Sequence, residues 1–424
     1  MIKFFFIFLL MAQTAWGADA LYTFYGFEEQ STLGAKTSTG SPAYSTSVKK
    51  SGTASLELVG AATKAEIQYP YSFTSGGAAD TPLVSSFSYV LGGFHFRTTD
   101  TTPSATTIFF TFADNGFGST TSNTNLALET DGDVIVLAAN ATTVLLTITN
   151  PLTANTWYFI EIGVFMDNTS SGQVWIDAVS KGTWSSGDTL DSTAMDGINF
   201  HGPTTGDGTY NFDNFYFLHD NADAAIPTPW ATSSSGLEVF AYQSGKAAQT
   251  ADTGLTAADT TTAANNWDTC ADLVWVATDG ATYTVDPSNG AVLYNDTATN
   301  GHGPGPSGGA YTVTGTIKGA KWSGLFDRGS GGGSTHTMYY GNSGTTPISS
   351  FTMTDPDTDV LRAKVLEDTT VPTSGETFAL GFGGAGAQDL WCDQMMGEIL
   401  HLPADAPATF ADVYYVTKLK ESGK

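Results

Sequence analysis

The segment Leu126-Ala-Leu-Glu-Thr-Asp-Gly-Asp-Val-Ile-Val-Leu137 reads as a β-hairpin and sets the class of the first half of the chain. Leu126–Glu129 alternates apolar and polar side chains, the period-2 pattern of a half-buried strand. Asp131-Gly132 supplies the turn, because Gly tolerates the positive φ that tight hairpins need. Val134–Leu137 is then the returning strand. The pattern repeats outward in both directions. Ala54–Val59, Phe87–Phe96 and Thr107–Phe112 precede it; Val144–Ile148, Trp157–Phe165, Gly172–Asp177 and Asn211–Leu218 follow. Evenly spaced short strands with turn signals predict an all-β sandwich or jelly roll. No stretch of this half has convincing helical spacing.

Composition agrees. The 424 residues include 47 glycines, 12% aromatics and only 14% charged residues, whereas helical folds need Ala, Glu, Lys and Leu at helical spacing. Sixteen basic residues against 42 acidic give a net charge of −26. Such a chain repels a phosphate backbone, which argues against nucleic-acid binding, and anionic membrane surfaces are disfavoured for the same reason. Residues 1–20 read as a secretory signal: Lys3 is the positive start, Phe4–Ala12 the apolar run, and Ala15/Gly17 or Ala18/Ala20 the small residues of a cleavage site. The apolar run is too short to span the ~30 Å of a bilayer core. The expectation is an exported protein, secreted or at a cell surface.

The stretch Ala224–Gly236 has two prolines, then small polar residues. It reads as a linker, placing a first domain at 21–226, a linker at 227–236 and a second domain at 237–424. At ~100–200 residues per domain, each half is large enough for its own core. Near the end of the chain, Thr409 with Asp412 suggests a capping box for a short helix over Thr409–Lys420. Phe410, Val413 and Tyr414 would share one of its faces, with Lys418 and Lys420 at the C-terminal dipole.

The order of pieces in the first half resembles the concanavalin A-like, laminin-G-like jelly-roll superfamily. These pieces are Tyr25-Gly-Phe-Glu28, Gly52-Thr-Ala-Ser-Leu56, Asn155-Thr-Trp-Tyr158, Ser171–Asp177 and Phe212-Asp-Asn-Phe215. Met396–Leu400 and the helix after it are similar to the closing elements of the same superfamily, so two tandem jelly rolls are expected. The resemblance implies carbohydrate as the ligand class. It also implies a structural calcium shared by Glu28 and Asp213, the alternative being a solvated turn residue and a capped buried acid. Calcium takes several oxygen ligands, which jelly-roll loops supply.

The two cysteines, Cys270 and Cys392, are an even pair in an exported chain, which favours a disulfide over two buried thiols. The resemblance places the end strands of such a domain side by side. A bridge closing so long a loop contributes at most ~4–5 kcal/mol in the chain-entropy model.

Motifs for catalysis are weak. Gly305–Gly309 and Gly381–Gly386 formally match a nucleophile elbow and a dinucleotide fingerprint, but neither has the strand–helix context these need, and both read as turn-rich loops. The Glu-x-Asp-x-Glu strand of laminarinase-type hydrolases is missing, and Glu161 alone cannot act as both nucleophile and acid/base. The six histidines are scattered away from metal-ligand spacing. Asp355–Asp359 begins like a calcium loop but has Val360 and Leu366 where that loop needs Gly and Glu, so an acidic turn is favoured. Sugar recognition needs flat aromatic faces beside hydrogen-bonding groups. Trp184 and Tyr210, read as loop residues, are the candidates in the first half. Trp322, Arg328, Tyr339 and Tyr340 are those in the second; Trp157 and Trp175 read as core. The sequence therefore points to a non-catalytic protein binding a glycan or cell-surface polysaccharide. Rival readings are a structural surface, virion or appendage protein and a polysaccharide lyase or hydrolase.

Overall fold

The computed structural model describes residues 20–27, 35–37, 42–52, 54–60, 64–68, 89–113, 122–189, 197–220, 236–243, 255–257, 291–295, 316–330, 335–341, 347–354, 360–367, 379–385 and 389–403. Every helix or strand element among them is a strand. The first half contains β1 (Ala20–Tyr25), β2 (Ala35–Thr37), β3 (Ala43–Ser45), β4 (Ser55–Val59), β5 (Lys64–Gln68), β6 (Tyr89–Thr98), β7 (Thr107–Ala113) and β8 (Ser122–Leu128). It continues with β9 (Val134–Leu137), β10 (Val144–Ile148), β11 (Tyr158–Phe165), β12 (Ser170–Ile176), β13 (Val179–Gly187), β14 (Gly197–His201) and β15 (Thr209–Asp220).

These form two antiparallel sheets. The first runs β13-β12-β11-β6-β15-β4-β3, with β1 also paired to β15; the second runs β10-β9-β8-β7-β14-β5-β2. The hairpin at Asp131-Gly132 joins β8 to β9 as its sequence requires, with Gly132 at φ 94°. The sheets face each other across a phenylalanine-rich core. Phe94 stacks on Phe110 at 4.7 Å and Phe96 on Phe109 at 4.5 Å. Phe200 meets Phe212 at 4.7 Å. The core-facing side chains alternate along each strand, as a sandwich demands.

In the second half lie β16 (Glu238–Gln243), β17 (Leu255–Ala257), β18 (Ala291–Asn295), β19 (Thr316–Ser330) and β20 (Thr335–Gly341). They are followed by β21 (Pro347–Thr354), β22 (Val360–Glu367), β23 (Ala379–Ala385) and β24 (Asp389–Leu402). One sheet is ordered β17-β18-β24-β19-β22 with β16 beside β24, and a second β21-β20-β23. The all-β class and the two sandwich-like halves match the sequence expectation. The fingerprint-like Gly381–Ala385 run is a correction: it lies within β23, pairing with β20, and is not a loop. The expected helix at 409–420, the Gly301–Gly309 run, Asp355–Asp359 and most of the linker lie outside the described residues.

The halves are packed together. β6 is buried at nine of its ten positions, so both of its faces are covered. Phe24, Tyr89, Leu91, Phe159, Trp175, Tyr216 and Leu218, on the outer face of the first sheet, cluster with Leu237, Val239 and Leu400 of the second half. Gly236 lies so close to the Phe159 ring that a Cβ there would meet Phe159 Cγ at 2.3 Å. Among the described residues, two sets of polar contacts bind the halves. Val239 N donates to Asn214 Oδ1 at 2.8 Å. Lys321, ion-paired to the fully buried Glu398, donates to Phe24 O at 2.5 Å, and Gly26 N donates to Glu398 Oε1 at 3.2 Å.

Candidate functional site

The outer face of the second sheet carries a polar row that cuts across its strands. The registers Lys36↔Glu66, Glu66↔Asn199, Asn199↔Thr111, Thr111↔Asn125 and Asn125↔Leu137 place these residues side by side on β2, β5, β14, β7, β8 and β9. Antiparallel neighbours in register share a face, and alternation sends their flanking residues Ile198, Phe200, Phe110 and Phe112 into the core. Thr111 Oγ1 donates to Asn125 Oδ1 at 2.8 Å and lies 3.0 Å from His201 Nε2. A hydroxyl has one proton. With that proton given to Asn125, the Nε2–H of His201 is the donor to Thr111. Asn125 Nδ2 reaches Ala138 O at 3.4 Å. Asn199 is only 3% exposed, yet its Oδ1 has no hydrogen-bond partner. An amide oxygen buried without a partner costs about 1–3 kcal/mol, so this atom is the row's conspicuous open acceptor. His201, half-buried, ends the row nearer to solvent.

Sequence reading missed this row, because each residue is ordinary alone. Its trace was the alternation in Lys64-Ala-Glu-Ile-Gln68 and Gly197-Ile-Asn-Phe-His201, where every polar position falls on one face.

The residues singled out from sequence are distributed differently. Asp213 is fully buried on β15. Its Oδ2 accepts from Lys50 N at 2.8 Å and Ser51 N at 3.3 Å, and its Oδ1 from Asn214 N at 2.8 Å. Three backbone N–H groups thus meet its two oxygens; Glu28, the other residue of the expected calcium pair, lies outside the described residues. Trp184 and Tyr210 are corrected from loop to strand and from surface to core. Trp184 is on β13, 6% exposed, and Tyr210 on β15, fully buried. Each belongs to a strand whose small or polar neighbours made it look loop-like. Burial raises the Tyr210 phenol above its usual range, and Asp207 and Asp100 push the same way. Trp322 and Arg328 lie within β19, and Tyr339 and Tyr340 within β20, the strands that precede and follow the Gly331–Gly333 run. Cys392 is on β24, opposite Ala291 and Phe326; Cys270 lies outside the described residues.

Among the described residues, one group of carboxylates converges. Glu129, Asp131 and Asp133, around the β8–β9 turn, bring ligand oxygens within 4.8 Å of one another. Burial raises the Glu129 carboxyl, and Asp131 and Asp133 add to it. Asp131 Oδ1 already accepts from Asp133 N, and Asp133 Oδ1 from Asn150 N, so the turn is braced by its own acids.

No family model matches the chain, and no curated protein matches it. Solved structures resemble parts of it. The receptor-binding domain of botulinum neurotoxin C/D mosaic serotype is 11% identical, with a TM-score of 0.32, over 45% of this chain and 44% of that one. The endo-β-1,4-glucuronan lyase of the fungus Trichoderma reesei is 15% identical, with a TM-score of 0.29, over 43% of this chain and 88% of that one. The cellulose induced protein Cip1 is 14% identical, with a TM-score of 0.34, over 48% of this chain and all of that one. The match spans less than half of the toxin structure's own length. These likenesses are too distant to define a family.

Proposed function

We propose that this is an exported glycan-binding protein whose ligand lies on the outer face of the second sheet. The observation that carries the reading is Asn199 Oδ1, a buried acceptor without a partner in a row with Thr111, Asn125 and His201. Sugar hydroxyls donate and accept in alternation, and such a row offers both kinds of group. Thr111, Asn125 and Asn199 are at most 3% exposed, so the half-buried His201 is the group a sugar meets first, and a hydroxyl that reaches Asn199 Oδ1 supplies the missing hydrogen bond. A site of this kind binds without chemistry.

A glycan array probed with the full exported chain, with and without chelator, is the test. Wild-type binding to a defined neutral glycan class is expected, reduced roughly 10-fold in Asn199→Ala through loss of one buried hydrogen bond. His201→Ala is expected to weaken the same glycan class. Binding that survives both substitutions unchanged removes the ligand from this face. Release of shortened or unsaturated oligosaccharides from a bound glycan replaces the binding reading with the lyase or hydrolase one.

A further inference from the structure

We propose a second ligand site, on the outer face of the first sheet, where Arg97 receives the carboxylate of an acidic sugar unit resting on Trp157. Arg97 is half-buried on β6. Its Nη1 donates to Asn211 Oδ1 at 3.2 Å and its Nη2 to Asn155 Oδ1 at 2.6 Å. Asn211 is fully buried, and its Nδ2 is turned to Glu57 Oε2 at 3.3 Å. Asn155 stands in the turn before β11 with φ 62°, and its N–H is tied to Thr98 O at 2.7 Å. Both oxygens that hold the guanidinium therefore come from fixed positions. The guanidinium has five N–H groups, and two of them are used.

Its two partners are neutral amide oxygens, and no carboxylate of the described residues forms an ion pair with it. That is notable in a chain with 42 acidic and 16 basic residues. The nearest acid in the row, Glu57, is engaged by Asn211 instead. A partly desolvated arginine held rigid without a counter-ion is prepared for one that arrives from outside. Its fork matches the two oxygens of a carboxylate. A single arginine in a field of net charge −26 does not suit a polyanion, so a unit with one carboxylate is the better fit.

Trp157 supplies the reason to expect a sugar. The β11–β6 register ends at Tyr158↔Phe96, which sets Trp157 opposite Arg97. Trp157, expected in the core from the sequence, is instead half-buried, and the ring of the buried His95 stands perpendicular to it at 6.5 Å and 87°. A partly exposed indole beside a fixed arginine and an exposed asparagine offers stacking for a pyranose ring and hydrogen bonds for its hydroxyls. This site shares no residue with the polar row on the second sheet, and either can exist without the other.

The experiment is a tryptophan-fluorescence and calorimetric titration of the full chain. The probes are a disaccharide ending in glucuronate and one ending in galacturonate, each against its neutral counterpart. At least one uronate is expected to bind, with its neutral partner roughly 10- to 100-fold weaker, as for loss of a charge-assisted hydrogen bond. Arg97→Gln is expected to abolish the difference, Arg97→Lys to restore part of it, and Asn155→Ala to weaken it by freeing the fork. Asn199→Ala is expected to leave uronate binding intact. Near-UV circular dichroism confirms that each variant is folded. Equal binding of acidic and neutral probes, no binding of either uronate, or full uronate affinity in folded Arg97→Gln overturns the proposal.

Discussion

Gly93 is where a single missing side chain does the most. Tyr216, Gly93, Glu161 and Trp175 stand in one register row across β15, β6, β11 and β12. The Tyr216 ring lies across Gly93, so close that a Cβ there would fall 2.2 Å from Tyr216 Cε1. In that position its hydroxyl donates to Glu161 Oε1. Glycine thus lets the ring cross the strand and reach the fully buried carboxylate of Glu161. Gly93→Ala forces the ring to move within a packed core and pulls the hydroxyl from Glu161. The expected loss is about 1–3 kcal/mol, the usual cost of overpacking. Urea unfolding followed by circular dichroism measures it, as a lower midpoint with an unchanged slope. Nothing in the local sequence distinguishes Gly93 from Gly92 beside it, because the distinction lies in a residue more than a hundred positions away. Residue identity was legible; the partner was not.

At the scale of elements, β15 joins the two halves. It pairs with β4 through Phe212, then bulges between Asp213 and Tyr216, with Asn214 at φ 51°, and continues against β1. The bulge turns Asp213 onto the N–H groups of the Lys50–Ser51 turn and Asn214 toward Val239 of β16. Burial holds the Asp213 carboxyl well above its usual range, against the pull of the Lys50, Ser51 and Asn214 N–H groups, and Glu238 adds to the rise. Burial likewise raises Glu238, against the pull of Lys50. A carboxyl whose folded pKa is raised keeps a proton that the unfolded chain releases. Its stability contribution is complete below the ordinary 4.5 for Glu238 and is lost as pH rises through the folded value. Glu238→Gln is therefore expected to raise the melting temperature at neutral pH and to flatten its decline above pH 4.5, as thermal scans across pH will read. A variant whose melting curve keeps the wild-type pH slope would show that Glu238 is not the group responsible. The strands themselves were readable from alternation, and the Asp131-Gly132 hairpin from its turn chemistry. The candidate rows were illegible because alternation reports one strand at a time, whereas a row across a sheet exists only once the register is known.

For the whole molecule, the question is what makes two sandwiches act as one body. The apolar contact through Leu237, Val239 and Leu400 is non-directional, so it favours association without fixing an orientation. The buried Lys321–Glu398 pair supplies direction. Lys321 is 3% and Glu398 0% exposed, and both reach across to β1. The ammonium donates to Phe24 O and sits 3.7 Å over the Tyr25 ring, while the carboxylate takes the N–H of Gly26. The two hydrogen-bonding partners are backbone groups at the end of β1 and just after it, so a shift of the halves by one residue would leave both charges unmatched. Removing one charge strands the other in the interior, which costs about 3–5 kcal/mol, whereas replacing both with apolar groups of similar size is often neutral or stabilising. Lys321→Met and Glu398→Leu singly are expected to lower stability by that amount and to expose the segment between Asp220 and Gly236 to protease. The double variant Lys321→Met/Glu398→Leu should recover most of the stability. If the pair sets orientation as well as stability, the recovered double variant should still be cut faster between Asp220 and Gly236 than wild type at equal melting temperature. Wild-type cleavage rates in a stable double variant would assign orientation to the apolar contact alone.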